Sequence, residues 1–384
     1  MVATLEKFVR QSMFIELFDT VLDQYNKDEK SKAYRKLING AGTLEKFSLT
    51  SHLFEPIFAG FEKRDAKRKS DFEEGKVMKI PLGIVELDHI TQGGGELGEL
   101  ICYLGASKAG KSFALVHHGI HAARLGYGVA HFQLEGTHKQ CTGRYDSSWT
   151  GTKFNDIKHC EITPDKYKEI ERTLKGLKAK ADIHVYSSER FNNMNMLEIR
   201  RKVRELKKKH DIKVVIIDYI DLCDPDDSVY TPKDERFRQQ RTIRLMKELA
   251  MEEQVLVITA TQASSIPSEL LEDPEFTIKK EHLAEDKGKV RPVDMLITIN
   301  RTRWEEKHNI ARLFLDAMRE HGGGLTLFIR QNLNFSKFYL RKETMEKPVT
   351  TDDYDEIEDE ILEEAAAAPA KEDKKRKFKR ILKA

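Results

Sequence analysis

Leu100-Ile-Cys-Tyr-Leu-Gly105-Ala-Ser-Lys-Ala-Gly-Lys-Ser112 decides how the rest of this chain is read. The apolar run Leu100 to Leu104 leads straight into the pattern G-x-x-x-x-G-K-S, and Ser112 to Arg124 continues as a helical segment. An unbroken apolar run is what a strand covered on both faces requires. Glycines at the strand-to-helix turn let backbone N–H groups curl around phosphate oxygens, and the helix N-terminus adds partial positive charge there. Gly105, Ala106, Ser107, Lys108, Ala109, Gly110, Lys111 and Ser112 are therefore expected to cradle ATP, with Lys111 on the β- and γ-phosphates and the Ser112 hydroxyl on Mg²⁺.

A magnesium–nucleotide site needs a second acid at the end of a neighbouring apolar strand. Val214-Val-Ile-Ile-Asp218 supplies one, so Asp218 is the expected metal-side carboxylate beside Ser112. Hydrolysis also needs a base to orient water. Gln133-Leu-Glu135-Gly places Glu135 just past the strand that follows the helix, which makes it the catalytic candidate. Val257-Ile-Thr-Ala-Thr-Gln262 ends in a polar residue placed to sense the γ-phosphate. The strands expected beyond Lys79 are 100–104, 129–134, 183–186, 214–217, 255–259 and 295–299, separated by helices such as Leu197 to Lys209 and Glu235 to Glu253. That alternation predicts an α/β fold with a mainly parallel central sheet flanked by helices. The closely spaced runs 310–315, 325–329 and 335–340, with Gly322 to Gly324 as a turn, predict C-terminal antiparallel strands.

Outside this core the pattern changes. Residues 1–62 read as a small all-α region, because Phe14, Leu17, Phe18, Val21 and Leu22 recur at helical spacing, and Gly40 is read as the stop of a helix over Lys32 to Asn39. That apolar face would either close an internal core or pack on another subunit. Residues 63–79 are dense in charge and read as a linker or an exposed helix, 80–345 as the ATPase motor, and 346–384 as a disordered tail. The tail is acidic from Asp352 to Glu364 and basic from Lys371 to Lys383, a pattern of solubility or of tethering to a partner. The 66 basic residues nearly balance 64 acidic ones, so any polyanion site must be local. No apolar run is long enough for a membrane span and no secretory leader is visible, which predicts a cytoplasmic protein. The four cysteines predict reduced thiols; His138, Cys141, His159 and Cys160 could together supply zinc ligands, but their spacing fits no zinc module.

In this order the elements resemble the motor domain of the DnaB-type replicative helicases, within the RecA-like superfamily, over about residues 78 to 341. Ile80-Pro-Leu-Gly-Ile-Val-Glu-Leu-Asp88 is similar to the family's I-P-T-G-F-x-x-L-D, and Phe132-Gln-Leu-Glu135 to its S-L-E-M, whose Glu is catalytic. Ile216-Ile-Asp-Tyr-Ile-Asp-Leu222 is similar to I-I-D-Y-L-Q-L, and Thr261-Gln262 to the sensor S-Q. Val293 to Arg301 and the strand ending at Arg319 resemble the closing strands. The resemblance implies a RecA-like P-loop core and an arginine finger reaching the γ-phosphate held by a neighbouring subunit. Arg319 matches that position, with Arg312 and Arg330 in reserve because Ala317 stands where the family usually has Lys. Ala284-Glu-Asp-Lys287 replaces the family's DNA-facing R-E-S-G, leaving Lys287, Lys289 and Arg291 as candidate phosphate contacts.

The resemblance implies an ATP-dependent helicase that threads single-stranded DNA through a hexameric ring with five-prime to three-prime polarity, with a primase or helicase loader as partner and no membrane. Its alternatives are a RecA- or KaiC-like ring or filament ATPase that binds DNA or protein without unwinding, and a nucleotide-gated interaction module.

Overall fold

The computed structural model describes residues 2–46, 60–73, 78–178, 182–187, 194–226, 234–264, 266–283, 287–319 and 322–339. The chain divides into two compact units, Met1–Lys76 and Val77–Ala384. The first contains α1 (Val2–Asn26), α2 (Lys30–Lys46) and α3 (Phe61–Glu73). The charged stretch expected as a linker is thus largely helical, and α2 runs straight through Gly40. Gly40 is not a stop but a contact point. A Cβ there would lie 2.2 Å from Leu17 Cδ1, so the missing side chain is what lets α1 and α2 approach. Among the described residues Phe14, Phe18 and Leu22 on α1 are exposed, while Leu17 and Val21 of the same face are half-buried.

The second unit opens with β1 (Lys79–Ile80), α4 (Val85–Ile90), β2 (Gly95–Glu96), β3 (Leu100–Gly105), α5 (Lys111–Arg124) and β4 (Gly128–Gln133). Three helices not expected from the sequence come next: α6 (His138–Thr150), α7 (Phe154–Lys158) and α8 (Pro164–Lys178). There follow β5 (Ile183–Ser187), α9 (Met196–Lys207), β6 (Ile212–Asp218), α10 (Glu235–Glu253), β7 (Leu256–Gln262) and α11 (Ser268–Leu271). The chain closes with β8 (Met295–Asn300), α12 (Arg303–Lys307), β9 (Ile310–Met318), β10 (Leu325–Asn332) and β11 (Lys337–Tyr339).

Among the described residues nine strands form one sheet in the order β11-β10-β9-β8-β3-β7-β6-β4-β5. Pairing is parallel from β8 to β5 and antiparallel from β8 to β11. This is the α/β architecture read from the sequence, with its C-terminal antiparallel extension.

Strand pleating explains the unbroken apolar runs, because successive side chains enter opposite layers. Ile101 and Tyr103 of β3 join Val214, Ile216, Leu256 and Ile258 in one core beneath α5. Leu100, Cys102 and Leu104 join Val215, Ile217, Val257, Ile199, Val203, Ile243 and Met246 in a second core beneath α9 and α10. β5 closes one edge, and its residues are only partly covered.

In parallel sheets the strand C-termini converge on one side. The order β8-β3-β7-β6-β4 brings the ends of five strands beside the turn 105–112, while the starts of the same strands lie at the opposite edge.

Candidate nucleotide site

The turn after β3 is held open from several directions. Gly110 adopts φ 100°, a left-handed conformation natural to glycine. A Cβ at that point would also run into Gln331 of β10. Gln331 Nε2 donates to Ala109 O at 3.0 Å, and Arg301 donates to Lys108 O and, at 3.0 Å, to Gln331 Oε1. Neither Arg301 nor Gln331 was singled out in the sequence; only the polar residues at the ends of apolar strands hinted at them. Beside the turn lies a cavity of about 320 Å³ lined in part by Ala106, Lys108, Asn300, Arg301 and Glu306.

The Lys111 ammonium donates to Gly105 O at 3.0 Å and Ala106 O at 2.9 Å, folding back over its own loop. Burial lowers its pKa, opposed by Asp221, Glu135 and Asp218. The Ser112 hydroxyl donates to Asp218 Oδ1 at 3.1 Å, across 106 residues of sequence. Asp218 is buried at the end of β6, and desolvation raises its pKa to about 6 against the Ser112 hydrogen bond and the nearby Arg144 charge. Arg144, on α6 and over the Phe113 ring, is a cation the sequence reading missed.

Glu135 is tied to the same point. Leu134 and Glu135 donate their backbone N–H groups to Asp218 O at 2.8 and 3.1 Å, and Gln133 Nε2 donates to Asp218 Oδ2 at 3.2 Å and to Glu135 O. The exposed Glu135 side chain therefore projects from a turn anchored on the Asp218 backbone. Gln262 pairs in register with Gly105, and its N–H donates to an Asp221 carboxylate oxygen at 3.1 Å. The structure thus gathers Lys111, Ser112, Asp218, Glu135 and Gln262 around one turn.

Other expected residues lie elsewhere. Lys289 is completely buried and ion-paired with Asp221, which also accepts from the Thr261 hydroxyl at 3.0 Å. A candidate contact with external phosphate is overturned there, because the ammonium is both sequestered and neutralised. Arg291 is exposed, Lys287 begins a 3-10 turn over Lys287–Val290, and Ala284 to Asp286 lie outside the described residues. Arg319 is exposed at the far edge of the sheet, 3.4 Å from Asp294 Oδ1, and donates to Arg291 O at 3.1 Å. Asp294 Oδ2 in turn accepts from the Leu100 N–H at 2.7 Å. β3 therefore separates Arg319 from Gly105 by about 17 Å, five residues at roughly 3.3 Å each. Arg312 is buried against Glu305 at 2.8 Å, which removes it as a reserve finger; Arg330 donates to His308 O at 3.4 Å.

His138 bonds Ser187 Oγ at 3.0 Å and Cys141 is buried, while Cys160 is exposed; these residues do not gather into a metal-holding group among the described residues. The acidic and basic tail segments lie outside the described residues. No helix among the described residues is long and apolar enough to cross a membrane.

Residues 79–270, half of the chain, match the family described as DnaB-like helicase C terminal domain. This chain belongs to the DnaB-like helicase family. It is 27% identical over 195 residues to the replicative DNA helicase DnaB of Geobacillus stearothermophilus, covering 50% of this chain and 41% of that protein. Over 152 residues it is 26% identical to the DnaB-like replicative helicase of Enterobacteria phage T4, covering 38% of this chain and 31% of that one. The DnaB-like chain thus spans less than half the length of these curated relatives. Among solved structures, the ATPase domain of G40P superposes with a TM-score of 0.62 at 18% identity, covering 75% of this chain and 99% of that one. A structure described as that of a DnaB-like replicative helicase and its interactions with primase gives 0.62 at 17% identity, covering 88% and 78%. These likenesses show that the DnaB-like chain shares its fold with both structures.

Proposed function

We propose that this protein is an ATP-dependent replicative DNA helicase that moves on single-stranded DNA as a hexameric ring and unwinds duplex with five-prime to three-prime polarity. The observation that carries the reading is the Ser112–Asp218 contact at 3.1 Å, which joins the phosphate-binding turn to the acid of β6. Its chemistry suits a hydrated magnesium ion: a hydroxyl, a carboxylate and the buried Gln133 Oε1, which lacks a hydrogen-bond partner, lie within one neighbourhood. Ser112 and Asp218 would hold Mg²⁺, and the backbone N–H groups of 105–112 with Lys111 would hold the β- and γ-phosphates of ATP. Bound magnesium would neutralise charge on the phosphate oxygens.

Within this chain, Lys111 would exchange its two loop carbonyls for phosphate oxygens. Glu135 would accept the proton of an attacking water, its position fixed through the Asp218 carbonyl. Gln262, beside Gly105 and tied to Asp221, would report the γ-phosphate to the loop after β7. Arg319 lies at the wrong edge to serve its own turn, which supports delivery to a neighbour's. Arg291, exposed near that edge, and Lys287 are the candidates left for DNA phosphates, and a primase or loader is the natural partner for a motor of this kind.

The test pairs ATP hydrolysis, with and without single-stranded DNA, with strand separation on a forked duplex. The wild type should show DNA-stimulated hydrolysis and unwinding, and Lys111→Ala should lose both. Hydrolysis indifferent to single strands would overturn the helicase reading. Stimulation without unwinding would favour the RecA- or KaiC-like alternative.

A further inference from the structure

Far from the nucleotide turn, at the opposite edge of the sheet, Asp182, His184 and His210 converge from two separate segments. Asp182 and His184 stand at the start of β5, and His210 ends the turn before β6. The first two amides of β4 fasten both segments: Gly128 N donates to Asp211 O at 3.1 Å and Val129 N to Asp182 O at 2.8 Å. The three side chains are thus held by the sheet, although β4 lies between their parent strands.

One carboxylate faces both rings. Asp182 Oδ2 is 2.6 Å from His210 Nδ1, and Asp182 Oδ1 is 2.8 Å from His184 Nε2. The two imidazole centroids are 4.1 Å apart, and one ligand atom from each residue lies within 4.8 Å of the others. The His210 contact has hydrogen-bond geometry, but the His184 contact does not: its Nε2 is buried and has no hydrogen-bond partner. A buried ring nitrogen beside a carboxylate, yet misaligned for a hydrogen bond, is suited to a ligand that accepts lone pairs from both.

We propose that Asp182, His184 and His210 bind a divalent transition ion of the zinc class. Two imidazoles and a carboxylate suit such an ion, which bonds nitrogen and oxygen at about 2.0–2.2 Å and leaves a fourth position to water. Bonds of that length separate neighbouring ligand atoms by about 3.3 Å in a tetrahedron, so the His184 ring need withdraw from Asp182 by about 0.5 Å and the His210 ring by about 0.7 Å. Partial exposure of all three side chains provides the entry path. The bound ion would clip the edge strand β5 to the lead-in of β6. This is independent of the nucleotide turn and of the helicase reading.

The probe is Co²⁺ titrated into the full chain without nucleotide or magnesium and followed by visible absorption, with Zn²⁺ as competitor. One Co²⁺ per chain should bind, be displaced by Zn²⁺, and be lost in His210→Ala and in Asp182→Asn/His184→Ala. His138→Ala/Cys160→Ser should bind normally, which separates this cluster from other surface ligands. X-ray absorption at the zinc edge of the unmodified protein should show two imidazoles and no sulfur, and it needs no variant to fold. No saturable binding below about 1 mM, binding retained in the triple variant Asp182→Asn/His184→Ala/His210→Ala, or a sulfur ligand would each overturn the proposal.

Discussion

Glu86 is a buried carboxylate, and neither oxygen has a hydrogen-bond partner. Desolvation raises its pKa to about 7. The folded chain therefore binds a proton that the unfolded chain releases near pH 4.5, and this group's contribution to stability falls as pH rises between about 4.5 and 7. Glu86→Gln, which is neutral at every pH, is expected to stabilise the protein at pH 8 by about 1–3 kcal/mol and to do little at pH 4, as read by urea unfolding. His118 works in the opposite direction. Its Nδ1 donates to Leu82 O at 2.6 Å and its Nε2 accepts from the Tyr103 hydroxyl at 2.6 Å, which requires a neutral ring. Burial lowers its pKa to about 4, so its stabilisation is complete above pH 6.5 and lost as pH falls towards 4. His118→Gln should therefore flatten acid unfolding over that window while lowering stability at pH 7. Neither group was legible in the sequence, which shows a residue's type but not how much water reaches it. The convergence of Lys111, Ser112 and Asp218 was legible because a glycine-rich turn after one apolar strand and an acid ending another both fall at the C-terminal edge of a parallel sheet.

At the scale of elements, legibility followed burial. The strands beneath two cores wrote themselves as apolar runs, since both faces exclude charge. Gly40 misled because a helix stop and a close helix contact ask for the same residue. Gly40→Leu should wedge α1 from α2 and destabilise the N-terminal unit by about 1–3 kcal/mol, seen as lost helical circular dichroism and faster proteolysis between residues 2 and 46. Lys289 misled for a related reason, as a lysine in a charged stretch reads as solvated. Its signal was Asp221, which stands where the DnaB pattern has Gln and so needs a cation. Lys289→Met should cost about 3–5 kcal/mol by leaving Asp221 uncompensated. Adding Asp221→Gln, which restores the family's residue and removes the charge, should recover most of that loss in a double-mutant cycle of denaturation midpoints.

For the whole molecule, the decisive relation is the separation of Arg319 from the turn 105–112 by the length of β3. If Arg319 is delivered to a neighbour, Arg319→Ala and Lys111→Ala chains, each inactive alone, should regain ATP hydrolysis when mixed and reassembled. Random mixing leaves about one pocket in four with both groups intact. Recovery of none would remove Arg319 as the donor. This relation was only half legible: the resemblance to the family identified Arg319 as a strand end, while which edge it occupies depends on the antiparallel turn of β9 against β8.

The sheet then resembles a magnet with unlike poles, one receiving and one giving. If Arg319 is delivered to a neighbour's turn in a head-to-tail arrangement, an open stack always ends with one unserved pocket. Specific activity should therefore climb with protein concentration and level off only when the last chain meets the first.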